Sequence, residues 1–166
     1  MLAQSGQTVV VRGRLLKAAG GLNVRLLARD GRGWRVVGRS RTRRGGRFHI
    51  RYVVRSVGAT ALRVSVSAPG HVRGSAPAGR IVGLAPAVAS WYYDAGNTAC
   101  GFHATYGVAN RSLPCGTKVT ISYGGRSVLA TVDDRGPYVY GRSFDLNQNT
   151  ARALGVYGVA QVLTSV

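Results

Sequence analysis

The chain has 166 residues, with 23 Lys and Arg against five acidic side chains, a formal net charge of +18 and a hydrophobic content of 45%. That length holds one ordinary domain or two small ones, and the apolar content is that of a globular chain rather than a disordered basic tail. No apolar run approaches the roughly 18–20 residues of a membrane-spanning helix, so no transmembrane segment is expected, and a coiled coil is excluded. The first ten residues, MLAQSGQTVV, lack the basic start and longer apolar stretch of a signal peptide. An exported form would have its targeting segment removed.

Charge is unevenly placed. Residues 1–87 hold 17 of the basic residues and one acid, Asp30; residues 88–166 hold six, with Asp94, Asp133, Asp134 and Asp145. Halves of about +16 and +2 suggest two modules. Every acid is Asp, and 21 of the basic residues are Arg. Arg pairs well with phosphate, while a GC-rich coding bias would also produce the excess. Either way the surface favours an anionic partner: nucleic acid, anionic lipid or an acidic wall polymer.

From Gln7 to Ser67 apolar and polar residues alternate with period two, the pattern of half-buried strands. Val24, Leu26 and Ala28 share one face, Phe48, Ile50 and Tyr52 another, and Leu62, Val64 and Val66 a third. Gly20-Gly21, Asp30-Gly31 and Gly45-Gly46 separate the runs as turns. The prediction is an immunoglobulin-like β-sandwich over residues 6–70, with Trp34 in its core. His49 and His71 have no Cys, Asp or Glu at ligand spacing, so no metal is expected there. Arg39, Arg41, Arg43, Arg44 and Arg47 cluster around one hairpin turn. Together they form a candidate patch for an anionic polymer; singly, each also fits a charged strand edge that discourages aggregation. Residues 71–88, rich in Pro, Gly and Ala, read as a partly extended linker.

The second half reads as a mostly β domain over residues 89–166. A short strand holds Trp91, others cover Lys118–Tyr123 and Ser127–Asp133, and the last runs from Val159 to Leu163. Asp134-Arg135-Gly136-Pro137 breaks the third of these. Residues 147–154 form a short helix with Asn147 or Asn149 as N-cap and Gly155 as its stop. Cys100 and Cys115 lack the further ligands that zinc requires. They suit a disulfide closing a loop of about 15 residues, worth roughly 3 kcal/mol in the chain-entropy model and pointing to an oxidising compartment; a pair of buried reduced thiols is the alternative. No cofactor is implied.

Five blocks stand in order: ASWY at 89–92, SLPCGTKV at 112–119, GRSV at 125–128, DRGPYV at 134–139 and GR-FDL at 141–146. Together they resemble the rare lipoprotein A family over about 78 residues. The resemblance implies a six-stranded double-psi β-barrel with one short helix, so the whole chain is expected to be all-β. It also implies a cell-envelope or extracellular location, and lytic transglycosylase activity on peptidoglycan glycan strands. Kinship with expansins carries the alternative of a non-catalytic wall-binding or wall-loosening module. Nucleic acid is not expected as a partner of the barrel, given the cysteine pair and the low local charge.

Carried across, the family's acid falls on Asp134, and the Asp of a related HFD motif on Asp145. The family's usual His falls on Asn110, which removes a titratable partner. A lytic transglycosylase protonates the glycosidic oxygen and draws its nucleophile from the sugar's own C6 hydroxyl. One Asp can serve first as acid and then as base, unlike the two-carboxylate hydrolases. Asp133 and Asp134 are adjacent on a strand and face opposite ways; the motif selects Asp134. Without a catalytic role, Asp134 reads as a turn former before Gly-Pro, and Asp145 as a charge at a helix N-terminus. Trp91, Tyr92 and Tyr138 supply flat rings for sugar faces. Arg135 completes the candidate substrate-binding set.

Overall fold

Period-two alternation in the first half becomes alternation of burial along β-strands. The computed structural model describes residues 1–16, 20–67 and 74–166, and the chain divides into two units, Met1–Gly83 and Leu84–Val166. The first contains β1 (Leu2–Gln4), β2 (Thr8–Arg14), β3 (Asn23–Asp30), β4 (Gly33–Arg41), β5 (Arg47–Val53) and β6 (Gly58–Ser67). It also contains the first half of β7 (Gly74–Tyr92). Strands β4-β3-β6-β7 form one sheet, with β1 also on β7, and β2 pairs with β5 as a separate antiparallel ribbon. Val24, Leu26, Phe48, Ile50, Tyr52, Leu62 and Ile81 are buried in the shared core. The Asp30-Gly31 turn forms as expected, and its Asp30 carboxylate accepts the Arg32 backbone N–H at 3.0 Å.

Two expectations change. Trp34 is not in the core: it is half-buried on β4, and the Arg63 guanidinium lies 4.5 Å from its ring centroid in a cation–π contact. The linker expected over residues 71–88 is a strand from Gly74 onward, since Gly74–Gly83 pairs with β6 and Ala85–Tyr92 pairs with strands of the second unit. Proline is tolerated there because Pro77 and Pro86 each have a ladder partner on one side, Arg63 and Leu163, as at a sheet edge. His71 lies outside the described residues.

The second unit adds β8 (Gly107–Ala109), β9 (Lys118–Tyr123), β10 (Arg126–Asp134), β11 (Phe144–Asn147), α1 (Gln148–Leu154) and β12 (Ala160–Thr164). Pairing runs β11-β8-β10-β9-β12-β7, and β7 pairs again with β11, so six strands close on themselves and leave no edge. Val108, Val119, Ile121, Ala130, Val132 and Leu146 fill the interior at zero exposure. Asn147 caps α1 by accepting the Thr150 N–H at 2.9 Å. Gly155 ends the helix in the left-handed region at φ 80°.

One glycine is fixed by a carboxylate. A Cβ at position 107 would overlap the Asp133 carboxyl group on the neighbouring strand. Gly107→Ala should therefore destabilise the barrel by about 1–3 kcal/mol, the usual cost of overpacking a filled interior. Urea denaturation of the two proteins measures this, and Asp133→Ser in the same chain should restore much of the loss.

Candidate functional site

The ring brings distant residues together at one end of β7. Alternation along Trp91-Tyr92-Tyr93 leaves Trp91 and Tyr93 exposed and turns Tyr92 half inward. The Tyr92 hydroxyl is buried without a hydrogen-bond partner. Its pKa is pushed well above the ordinary phenol value, first by burial and then by the charges of Asp133, Asp134, Asp94 and Asp145. All four carboxylates of the second half thus act on one phenol.

The two adjacent acids divide as the strand geometry requires. Asp133 is fully buried; its Oδ2 accepts the Ala104 N–H at 2.9 Å, and its Oδ1 has no partner. Burial raises its pKa, against the pull of the Ala104 N–H. Asp134 is half-buried, where the pairing of β10 with β8 shifts register between Val132 and Asp134. Its Oδ1 accepts two backbone N–H groups, from Ala99 and Arg135, each at 2.8 Å. Those bonds fix the carboxyl plane, and no hydrogen bond among the described residues holds Oδ2.

Asp145 arrives on β11, level with Ser90 of the ASWY block through the parallel β7–β11 ladder. Its Oδ1 is buried without a close partner, as is the Ser90 hydroxyl. Burial raises the Asp145 pKa, opposed by Ser90 and Arg142 and reinforced by the charge of Asp134. Sequence reasoning misses Ser90, which sits within ASWY, and passes over Asp133 in favour of Asp134.

Asn110 and Arg135 are engaged by the segment that precedes β9. The Asn110 amide donates to the Ser143 carbonyl at 3.0 Å, and its Oδ1 accepts the N–H groups of Ser112 and Leu113 at 3.1 and 2.9 Å. The side chain therefore holds the SLP turn in place. The Arg135 guanidinium donates to the carbonyls of Asn110 and Leu113 at 3.0 and 2.8 Å, and to Cys115 Sγ at 3.0 Å. Cys100 and Cys115 form a disulfide with Cα atoms 5.7 Å apart. Tyr138 and Tyr140, after DRGP, are exposed, at 80% and 101%, surfaces available to a ligand.

A second pair lies beside the acids. His103 Nδ1 is 2.9 Å from Asp94 Oδ2, and Nε2 is 2.7 Å from the Gly96 carbonyl oxygen. Both partners are acceptors, an arrangement that the doubly protonated ring satisfies. The pair borders a cleft of about 320 Å³ lined also by Ala104, Thr105, Asn147 and Gln148. Among the described residues no cluster of three or more His, Cys, Asp or Glu could hold a metal ion. The five arginines expected as one patch divide: Arg39 and Arg41 lie opposite Arg25 and Asn23 on the β3–β4 pair, whereas Arg43, Arg44 and Arg47 border the β2–β5 ribbon.

Residues 85–164 match the family model described as lytic transglycolase. Three curated relatives are each named probable endolytic peptidoglycan transglycosylase RlpA. The Nostoc protein is 48% identical over 52 residues, 30% of this chain and 14% of its own. The Synechocystis protein is 36% identical over 89 residues, 48% of this chain and 28% of its own. The Aquifex aeolicus protein is 41% identical over 76 residues, 41% of this chain and 34% of its own. This chain thus spans between about a seventh and a third of the length of those relatives. Among solved structures, the Streptomyces papain inhibitor is 26% identical with a TM-score of 0.42, over 49% of this chain and 90% of that one.

Partnership with Asp94 raises the His103 pKa above its ordinary 6.5 and lowers that of Asp94 below its ordinary 3.8. The His103 contribution to stability is complete below pH 6.5 and is lost as pH rises through the raised value; the Asp94 contribution is lost as pH falls through the lowered one. NMR titration should find the His103 imidazole above its ordinary pKa. Asp94→Asn should return it toward that value, with faster amide exchange over residues 94–103.

Proposed function

We propose, from the premise that residues 85–164 are an RlpA-like double-psi β-barrel domain, that this domain cleaves peptidoglycan glycan strands as a lytic transglycosylase in the cell envelope. The observation carrying this reading is the Asp134–Asp145 pair beside Tyr92. One carboxyl is held in a fixed plane with an unoccupied oxygen, and the other is raised by burial and by its neighbour's charge. Both residues stand level with Ala109 of β8, on the strands either side of it, so the charge of Asp134 acts on Asp145 across that strand.

The chemistry requires a proton on Asp134 at the start of the cycle. Asp134 Oδ2 presents it to the glycosidic oxygen as the C1–O bond breaks. The C6 hydroxyl of the same sugar then attacks C1 and returns its proton to Asp134, closing a 1,6-anhydro ring. No water is consumed, and Asp134 ends as it began. Asp145 acts through Asp134 as a positioning residue that keeps the proton in the site at higher pH. Exposed Trp91 and Tyr138 offer apolar faces to neighbouring sugars. Asn110 and Arg135 act indirectly by holding the loop 110–115 that borders Asp134.

A second reading, a non-catalytic glycan-binding module of expansin type, is favoured by one observation: Asn110 stands where the resemblance places a His, and its amide is engaged by backbone groups.

Asp134→Asn should lower anhydro-product formation by about 10²–10⁴-fold while glycan binding changes less than threefold, because that is the typical cost of removing a general acid–base. Asp145→Asn should lower it about tenfold and shift the alkaline limb of the pH–rate profile to lower pH, since the raised pKa that retains the proton is gone. Mass spectrometry of muropeptides from purified sacculi reads both. Absence of anhydro product from the wild type, with glycan binding intact, selects the second reading.

A further inference from the structure

The first unit carries an independent site. Antiparallel pairing of β2 with β5 sets Arg12 opposite His49 and Arg14 opposite Arg47, and all four side chains project from the exposed face. The turn before β5 adds Arg43 and Arg44, and these six side chains with Gly13 and Phe48 line a groove of about 690 Å³. Beneath it the ribbon is tightly packed: Phe48 is buried on the core face, and a Cβ at Gly13 would overlap its ring.

The arginines are held in place by a braced turn. The N–H of Arg43 donates to the Arg47 carbonyl at 2.7 Å, that of Gly46 to the Arg43 carbonyl at 3.0 Å, and that of Leu15 to the Gly46 carbonyl at 2.9 Å. Arg14 Nε donates to the Gly45 carbonyl at 3.0 Å. No acid lines the groove. The unit's one acid, Asp30, lies at another hairpin, 3.8 Å from Arg35. Five guanidinium groups therefore face solvent with no carboxylate partner among the described residues.

We infer that this groove binds a linear phosphodiester polymer of the wall, a flexible polyol-phosphate chain. Positions 12 and 14 lie about 7 Å apart along β2, too far for one phosphate to engage every arginine but suited to successive charges of an extended chain. Arginine forks match phosphate oxygens, and the methylene stems of the arginines offer apolar surface to the polyol carbons. Single-stranded nucleic acid is disfavoured, because its proteins offer platforms of exposed Phe, Tyr or Trp rings for base stacking, and the one such ring here, Phe48, is buried. The choice of a wall polymer rests on the envelope reading above; the groove's affinity for phosphodiesters does not.

The test uses the full chain and fluorescently labelled poly(glycerol phosphate), read by anisotropy. With about five phosphates neutralised, affinity should fall about 10²-fold between 50 and 200 mM salt, taking the dependence measured for single strands. Replacing Arg12, Arg14, Arg43, Arg44 and Arg47 by Gln should lower affinity at least 30-fold at 50 mM and flatten the salt slope. Replacing Arg25, Arg29, Arg39, Arg55 and Arg80 by Gln removes the same net charge elsewhere and should lower it less than threefold. Should the first variant fail to show native circular dichroism, the pair Arg12→Glu and Arg47→Glu gives the same comparison with fewer changes. Equal losses in both Gln variants, or affinity indifferent to salt, overturns the groove. Tighter binding of single- or double-stranded DNA than of the polymer overturns the wall assignment. Because no glycan cleavage is measured, failure here leaves the barrel's reading untouched, and failure of cleavage leaves the groove's phosphodiester binding untouched.

Discussion

Everything in the second unit depends on the parallel pairing of β11 with β7. Four residues on each strand are in register, Phe144 with Ala89 through Asn147 with Tyr92, and this ladder closes the six-stranded ring. Without it, Asp145 and Ser90 are 55 residues apart in the chain; with it they are neighbours. The same ladder ends at Asn147, so the strand that delivers the carboxyl group hands directly to the helix cap. Site and closure are formed by one set of backbone hydrogen bonds, so neither is retained if the other is lost.

The formal charge of the barrel says little about its interior. Two of its four carboxylates are raised by desolvation, so their charge is set by access to water more than by residue count. The arginine within the DRGP motif does not neutralise the neighbouring acid, since three contacts direct its guanidinium to the 110–115 loop. A positive residue adjacent in sequence is thereby used as a brace for backbone carbonyls. In the first unit the opposite condition holds: basic side chains on the ribbon lie in water, where mutual repulsion is screened.

Much of this was legible in the residues. Strands of the first half follow their alternation because each has one buried face, and the Asn147 cap and Gly155 stop obey local chemistry that tertiary context did not override. What escaped reading had physical reasons. Strands β8 and β11 span three and four residues, too few for a period to declare itself, and β8 is buried throughout. Pro and Gly made residues 74–83 look like a linker, yet a strand neighbour supplied the pairing that composition could not. Alternation separates Asp133 from Asp134 correctly, but only the register shift opposite Ala109 settles which is inside. The Asp94–His103 pair bridges a loop of nine residues with no motif to mark it, and Arg12 and Arg14 join Arg47 only through the ribbon's register.

The close fit of Asp133 against Gly107 reaches beyond this one chain. Two positions on neighbouring strands occupy a single volume: the carboxylate stands where a side chain at 107 would otherwise begin. Lineages that enlarge one position must shrink the other, and the intermediate carrying both large residues is the unstable one. Positions 107 and 133 should therefore covary among related barrels, with Gly opposite Asp or Asn and a larger residue opposite Ser, Ala or Gly. That coupling would trace the route by which an acidic group entered the interior of the fold.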